Sequence, residues 1–322
     1  MPAQRVLFVK LSSLGDVIHH LPAVTDLARA RPDARIAWAV EEAYAGLVKL
    51  HPSVAKAIPV GLRALRRAPL SPAAWGRFRA ARRALREGSW DYVVDTQGLL
   101  KSALVARMAR GPSFGQDRAS AREPMAARFY DIRLRIERGV HAVERNRRLV
   151  AAVFGYPLES AADYGLAAPA TPPAWAPPGR YAVLLHAASH VAKRWPEDRW
   201  ISLGQALAQD GLAAVLPGGT EAERAAAARI AAAIPGASAA PAMDLVEAAA
   251  LLGHAAGVVG VDTGLTHLAV ALGVPTVGIY CATNPALTGL HGGPDAVNVG
   301  GVNAPPPVDA VLQAIGGNAR PA

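Results

Sequence analysis

Two aspartates stand where a strand pattern runs into a helix pattern, and both positions suit chemistry on a phosphorylated, hydroxyl-rich ligand. The first closes Ser12-Ser13-Leu14-Gly15-Asp16, directly after the apolar run Arg5–Lys10. Gly15 permits a tight turn and close backbone approach. Asp16 then falls at a helix start, facing the expected cleft; capping of the helix is its alternative role. The second lies in Val261-Asp262-Thr263-Gly264-Leu265-Thr266-His267. Free amides at a helix start attract phosphate oxygens, and Thr263 adds a hydroxyl without bulk. Asp262 suits sugar hydroxyls better than phosphate, and His267, one turn on, can help neutralise a diphosphate. Capping by Asp262 or Thr263, and packing by His267, are the alternative roles.

Two further segments belong with these. In Lys193-Arg194-Trp195-Pro196 a lysine precedes a proline-initiated helix and can present a point charge to phosphate; a solvated surface lysine is the alternative. In Pro217-Gly218-Gly219-Thr220-Glu221 the glycines let backbone approach a flat ligand. Glu221 can accept two hydrogen bonds from a ribose diol, or simply complement the helix dipole. Arg63, Arg66, Arg67, Lys101, Arg122 and Arg145 form a basic set suited to carboxylates and phosphates, each of them also an ordinary surface charge on its own. Only one glycine sits in the first loop, so the dinucleotide pattern G-x-G-x-x-G is absent.

The elements that must position these residues alternate in type. Strand patterns occupy 5–10, 34–42, 54–60 and 92–96, with helical patterns opening near Asp16 and covering 72–87, 99–110 and 141–155; the last of these ends at Gly155 and Pro157. After the proline-rich stretch 167–179 the rhythm restarts. Strand patterns at 181–186, 213–216, 257–262 and 276–280 alternate with helices from Pro196 and over 221–234, 265–272 and 308–315. This predicts an α/β chain: an N-terminal Rossmann-like domain (1–166), a semi-rigid linker (167–179) and a C-terminal Rossmann-like domain (180–322). Two such doubly wound halves are expected to bind ligand in a cleft at the C-terminal ends of their strands. No internal sequence repeat is visible.

Composition narrows the class. Of 322 residues, 52% are hydrophobic, enough for each half to bury a core. No apolar run reaches the roughly 18 residues a membrane span needs, and the N-terminus has no signal-peptide pattern. The single cysteine, Cys281, excludes an internal disulfide and a multi-cysteine metal site; a cytoplasmic setting is the expectation. The net charge of +9 is uneven. Residues 1–165 hold 27 Lys and Arg against 15 Asp and Glu, whereas residues 166–322 hold 7 against 10. A basic first half implies an anionic partner, whether nucleic acid, a phospholipid surface or an acidic glycolipid; arginine-rich solvated helix faces are the plainer alternative.

In order along the chain, KLSSLGDVIHHLPAVTDL, VVDTQGLLKSA, AREPMAARFY, HAVERNRRL, KRWPEDRW and VDTGLTHLAVALGVPTVGIY resemble the lipopolysaccharide heptosyltransferases of glycosyltransferase family 9. The resemblance runs over roughly residues 4–290, and TQGLLKSA and AREP narrow it to the heptosyltransferase I branch. It implies a GT-B fold of two Rossmann-like domains and an inverting transfer of L-glycero-D-manno-heptose from ADP-heptose to a Kdo residue of Kdo-lipid A, with no metal and no cofactor. It also implies a role for each matched residue. Asp16 is the general base, with Ser12, Gly15 and the basic set on the acceptor side. Lys193 and the amides of Thr263 and Gly264 stabilise the departing diphosphate, Asp262 holds heptose hydroxyls, and Glu221 holds ribose. His267 and Ser189 add phosphate contacts, and Met243 packs near adenine. The anionic acceptor lipid implies peripheral contact with the cytoplasmic face of the inner membrane and no nucleic-acid partner. One segment departs from the family pattern. The loop before the lysine is usually polar there, and reads Ala187-Ala188-Ser189-His190-Val191-Ala192 here. The competing classes are heptosyltransferase II or another sugar transferase of the same fold, a nicotinamide oxidoreductase, and a non-catalytic binder of nucleic acid or lipid.

Overall fold

The computed structural model describes residues 3–293 and 295–316; the remaining end of the expected C-terminal domain lies outside the described residues. The chain forms two compact units, Met1–Leu166 and Ala167–Ala322.

The first unit carries β1 (Arg5–Val9), β2 (Arg35–Val40), β3 (Val54–Pro59), β4 (Tyr92–Asp95), β5 (Ser113–Gln116) and β6 (Ile132–Leu134) in one sheet ordered β3-β2-β1-β4-β5-β6. The second carries β7 (Tyr181–Leu185), β8 (Ala213–Leu216), β9 (Ser238–Ala239), β10 (Gly257–Val261), β11 (Thr276–Tyr280) and β12 (Ala296–Gly300), ordered β12-β11-β10-β7-β8-β9. Every pairing is parallel. Counted within its own unit, each sheet runs 3-2-1-4-5-6, so each is doubly wound with a topological switch between its first and fourth strands. Ligands bind such sheets at the switch, beyond the carboxyl ends of the strands.

The central strands are apolar because they are covered on both faces. Val6, Leu7, Phe8 and Val9 of β1 are fully buried, as are Val183 and Leu184 of β7. The core of the first unit joins β1 and β2 to Leu85, Trp90 and Val105. That of the second joins Leu184, Val259 and Ile279 to Trp195, Trp200 and Ile230.

Differences from the sequence expectation have local causes. The helix expected from Asp16 is two helices, Leu14–Ile18 and Leu21–Ala30. Pro22 lies in the first turn of the second, where a missing N–H is tolerated, and its ring breaks continuity with the first. β5, β6, β9 and β12 and helix Leu62–Arg67 carry no strong apolar run or start signal; helix Leu245–Gly253 does carry one, Asp244 at its N-cap with Glu247 three residues on, and it too is absent from the expectation. Helix Ala142–Phe154 ends as expected at Gly155, whose φ of +67° gives the left-handed C-cap.

This helix packs on Leu21–Ala30 through a buried ion pair. Arg147 Nε donates to Asp26 Oδ2 at 2.7 Å, and further N–H groups reach Glu144 and the Ser160 carbonyl. The contact sets the position of Asn146, which reaches the first loop. In the second unit, stretch 167–179 has no regular element but is fastened down. Trp175 Nε1 donates to Glu247 Oε1 at 2.7 Å, and the Pro169 carbonyl accepts from His254 Nε2 at 3.0 Å. Among the described residues no helix is long and apolar enough to cross a membrane.

Candidate active site

Each switch point carries one of the two aspartates. In the first unit the loop after β1 lies beside the loop after β4, and Gln97 ties them together. Its Oε1 accepts from the Leu11 N–H at 2.7 Å, and its Nε2 donates to the Ser12 carbonyl at 2.6 Å. Gln97 is itself held by Asp95, whose Oδ1 accepts the Gln97 and Gly98 amides, while Oδ2 accepts the Tyr130 hydroxyl at 2.7 Å. Asp95 is fully buried, and burial raises its carboxyl above the usual range despite these donors. Gly98 has φ of +67°, and a Cβ there would lie 2.9 Å from Gln116 Oε1, so a side chain at this turn would be strained.

Asp16 sits at the end of the braced loop with 24% of its side chain exposed. Its Oδ2 accepts the Ser13 N–H at 3.0 Å, the return half of a capping box, and its Oδ1 faces Arg122 Nη1 at 2.9 Å. Burial opposes ionisation, but the charges of Lys10 and Arg122 and the Ser13 amide outweigh it and hold Asp16 below the usual carboxylate range. Lys10 is buried. Its Nζ donates to the Thr96 carbonyl at 2.9 Å and to Asn146 Oδ1 at 3.2 Å, and burial pushes its pKa down to about 8 against the pull of Asp16.

The structure therefore brings Ser12, Gly15, Lys101, Arg122 and Arg145 together around Asp16. Lys101 Nζ donates to Ser12 Oγ at 2.9 Å. Arg145 Nη2 and Arg138 Nε share the Ser120 carbonyl, and Arg138 Nη2 also donates to the Ala121 carbonyl. Burial, then the neighbouring Arg122 and Arg138, lower the pKa of Arg145, and its buried Nε has no hydrogen-bond partner among the described residues. Several cations around one carboxylate, one of them with an unspent donor, suit an anionic, hydroxyl-bearing ligand.

Arg63 is more remote. Its N–H donates to Glu41 at 3.2 Å, its guanidinium lies 5.2 Å from the Tyr44 ring centroid, and it shares the field of Glu41 with Lys101. Arg66 and Arg67 are exposed at the end of helix Leu62–Arg67, with no carboxylate in ion-pair range among the described residues; the structure does not bring them to Asp16.

In the second unit the loops after β7, β10 and β11 converge on Asp262. Its Oδ2 accepts Lys193 Nζ at 2.7 Å and Thr283 Oγ1 at 2.7 Å, and its Oδ1 lies 3.6 Å from His267 Nε2. Burial opposes ionisation, but His267, Lys193 and Thr283 together hold Asp262 well below the usual range. Helix Gly264–Ala271 begins immediately after, with Thr263 as its N-cap residue. The Thr263 side chain makes no capping bond, so the first amides of the helix keep their donors. An ordered cation beside open helix amides can hold a phosphate.

The remaining donor-side residues are less enclosed. Glu221 is the exposed first residue of helix Glu221–Ala232, whose cap is made instead by Thr220 and Glu223. Glu223 Oε2 accepts the Gly219 and Thr220 amides, both at 2.9 Å. A Cβ on Gly218 would lie 2.6 Å from the Arg224 backbone nitrogen, so only glycine lets this loop close on the helix. Ser189 is exposed in the loop after β7, and Met243 is half-buried just before the helix-capping Asp244.

Sequence reasoning missed Lys10, Gln97, Asp95, Asn146, Arg138 and Thr283. Lys10 and Asp95 carried a signal, each being a charge at the end of an apolar strand run. His186, the residue after β7, was also missed. It bonds the Glu223 carbonyl through Nε2 at 3.2 Å, its Nδ1 is buried without a partner among the described residues, and burial holds it neutral. No group of three or more His, Cys, Asp or Glu residues that could hold a metal ion occurs among the described residues.

Comparison with known proteins places the chain in a family. Residues 78–308 match the family model of glycosyltransferase family 9 (heptosyltransferase). The chain is 46% identical over 291 residues to lipopolysaccharide heptosyltransferase 1 of Pseudomonas aeruginosa (strain PAO1), covering 89% of this chain and 81% of that one. It superimposes on E. coli heptosyltransferase WaaC with ADP at a TM-score of 0.90 and 38% identity, covering 98% of this chain and 100% of the other. On the same E. coli enzyme with ADP-2-deoxy-2-fluoro heptose the TM-score is 0.87, with the same identity and coverage. The two parallel-sheet units are thus those of a GT-B glycosyltransferase.

Proposed function

The chain belongs to glycosyltransferase family 9, the heptosyltransferases, and from that membership we propose that it transfers L-glycero-D-manno-heptose from ADP-heptose to a Kdo residue of Kdo-lipid A. Asp16 takes the proton of the acceptor hydroxyl as that oxygen bonds to the anomeric carbon of the heptose. The bond from this carbon to the diphosphate breaks on the opposite face, so the configuration inverts. Positive charge grows on the sugar ring and negative charge on the departing ADP. Lys193 and the amides of Thr263 and Gly264 stabilise the ADP charge, with Ser189 and His267 adding donors. Asp262 orients Lys193 and accepts heptose hydroxyls with its remaining lone pairs. Glu221 accepts from the ribose, and Met243 packs near the adenine. Arg63, Arg66, Arg67, Lys101, Arg122 and Arg145 receive the carboxylates and phosphates of the acceptor. The work is done at the cytoplasmic face of the inner membrane, by peripheral contact.

The observation that carries this reading is the state of Asp16, an ionised carboxylate among cations yet still open to solvent. A binding module has no use for it. Asp16→Asn tests the reading. Turnover of ADP-heptose with Kdo-lipid A should fall by about two to four orders of magnitude, while ADP affinity by calorimetry stays within about twofold. Undiminished turnover would overturn the assignment of the base. Heptosyltransferase II is the second reading. A chain that ignores Kdo-lipid A but accepts its heptosylated product would establish that instead, and preference for UDP- or GDP-sugars would overturn the donor assignment.

A further inference from the structure

We propose that the exposed face bearing Leu70, Trp75, Arg79, Arg82 and Arg86 is the surface by which this enzyme docks on an anionic lipid bilayer. The proposal rests on the reading above that the acceptor is a membrane-held lipid, and it names the part of the chain that meets the membrane.

Residues 61–86 contain eight arginines and no aspartate or glutamate. They form helix Leu62–Arg67, a turn, and helix Pro72–Leu85. The second helix buries Ala74, Ala81 and Leu85 against its own unit. Residues 75, 79, 82 and 86 follow at i, i+4, i+7 and i+11, so Trp75, Arg79, Arg82 and Arg86 share a neighbouring, exposed face. None of these three arginines has a carboxylate within ion-pair distance among the described residues, whereas Arg77, on another side, pairs with Glu42 at 3.3 Å. The charge of this face is therefore not spent inside the molecule.

The apolar half of the argument is the turn. Leu70 is 93% exposed and Trp75 is 42% exposed. Trp75 Nε1 donates to the Pro69 carbonyl at 2.8 Å, which fastens the indole to the turn that carries Leu70. Large apolar side chains protruding from a basic helix match the headgroup boundary of a bilayer: the arginines meet phosphates while leucine and tryptophan enter the interface. A nucleic-acid backbone would satisfy the arginines but leave Leu70 without a partner.

The test uses the full chain and extruded vesicles, either phosphatidylglycerol mixed into phosphatidylethanolamine or phosphatidylcholine alone. The unaltered chain should sediment with the anionic vesicles and not with phosphatidylcholine. Arg79→Gln combined with Arg82→Gln and Arg86→Gln should weaken that partitioning about 100-fold at low salt, at about fivefold per arginine. Leu70→Ser, at a side chain almost wholly in solvent and so without consequence for folding, should weaken it several-fold at every salt concentration. Lipids brominated in the acyl chain should quench tryptophan emission in the unaltered chain and not in Trp75→Phe. Turnover on a soluble acceptor lacking acyl chains should be unchanged in all variants. Variants that bind anionic vesicles as the unaltered chain does would overturn this face while leaving membrane attachment standing. An unaltered chain that ignores anionic vesicles would overturn both. If the arginine variants lose duplex DNA binding and keep vesicle binding, the occupant is nucleic acid and the proposal fails.

Discussion

Arg122 Nη1 lies 2.9 Å from Asp16 Oδ1, so the carboxylate proposed above as the base is held by a cation from a loop 106 residues away. The pair is solvent-accessible on both sides, with 49% of the Arg122 side chain exposed. Its value is therefore in tuning Asp16 rather than in stability, and on the proposed function Arg122 is free to exchange Asp16 for an acceptor anion. Burial favours the protonated acid and Arg122 favours the ionised one. Removing Arg122 leaves burial less opposed, so the carboxyl pKa rises. The acid limb of kcat/KM in Arg122→Ala should move to higher pH, in addition to a loss of acceptor affinity. A pH profile that keeps its acid limb in place would show that Asp16 is not the group titrating there.

Lys10 should produce the alkaline limb. Its ammonium pKa is pushed down to about 8 by burial, so as pH rises past that value the charge on the donor that ties the loop to Thr96 and Asn146 is lost, while Asp16 itself stays ionised. Turnover in the unaltered chain should fall above about pH 8. In Lys10→Met that limb should vanish, the rate should be lower throughout, and the acid limb should shift upward. Stopped assays across pH 5–10 at saturating donor check this.

Lys193 and Asp262 make a prediction about the donor and one about acid stability. Lys193→Ala removes the proposed charge-assisted phosphate contact, worth about 1.5–3 kcal/mol, so ADP binding should weaken about 10- to 100-fold by calorimetry. The folded pKa of Asp262 lies below its unfolded value of about 3.9. The unfolded chain thus binds the proton more readily, and the stabilisation is present in full above about pH 4 and is lost as pH falls through the folded value. Asp262→Asn should be less stable than the unaltered chain at neutral pH and should show a shallower loss of stability in acid, measured by urea denaturation.

Arg147 and Arg148 are adjacent in sequence and opposite in consequence. The side chains of Arg147 and Asp26 are 4% and 5% exposed, whereas those of Arg148 and Glu137 are 44% and 67% exposed. Arg147→Ala strands a buried carboxylate and should destabilise the first unit by about 3–5 kcal/mol. Arg148→Ala should cost about 0–1 kcal/mol. Chemical denaturation of the two variants side by side checks the contrast.

Much of the frame is legible along the chain because its signals are local. A strand covered on both faces reads as an apolar run, which exposes β1, β4, β7, β10 and β11 directly. An aspartate directly beyond such a run marks Asp262, and one in the first turn of the helix that follows the first run marks Asp16. β5 (Ser113–Gln116) and β9 (Ser238–Ala239) escape because they are short and carry no apolar run. The break at Pro22 was written in the residue itself, yet a continuous helical pattern across it concealed the two-helix start.

What the sequence determined alone was the kind of scaffold and the two points where its chemistry is concentrated, since strand burial, turn chemistry and helix starts each depend on a few neighbouring residues. What only the tertiary structure decided was the company those points keep. Lys10 meets Asn146 across 136 positions, Gln97 clamps Leu11 across 86, and Lys193 reaches Asp262 across 69. Parallel crossovers return distant strand ends to one edge of a sheet, and the helix Ala142–Phe154 packs beside that edge with Asn146; partnerships of that range leave no periodicity along the chain.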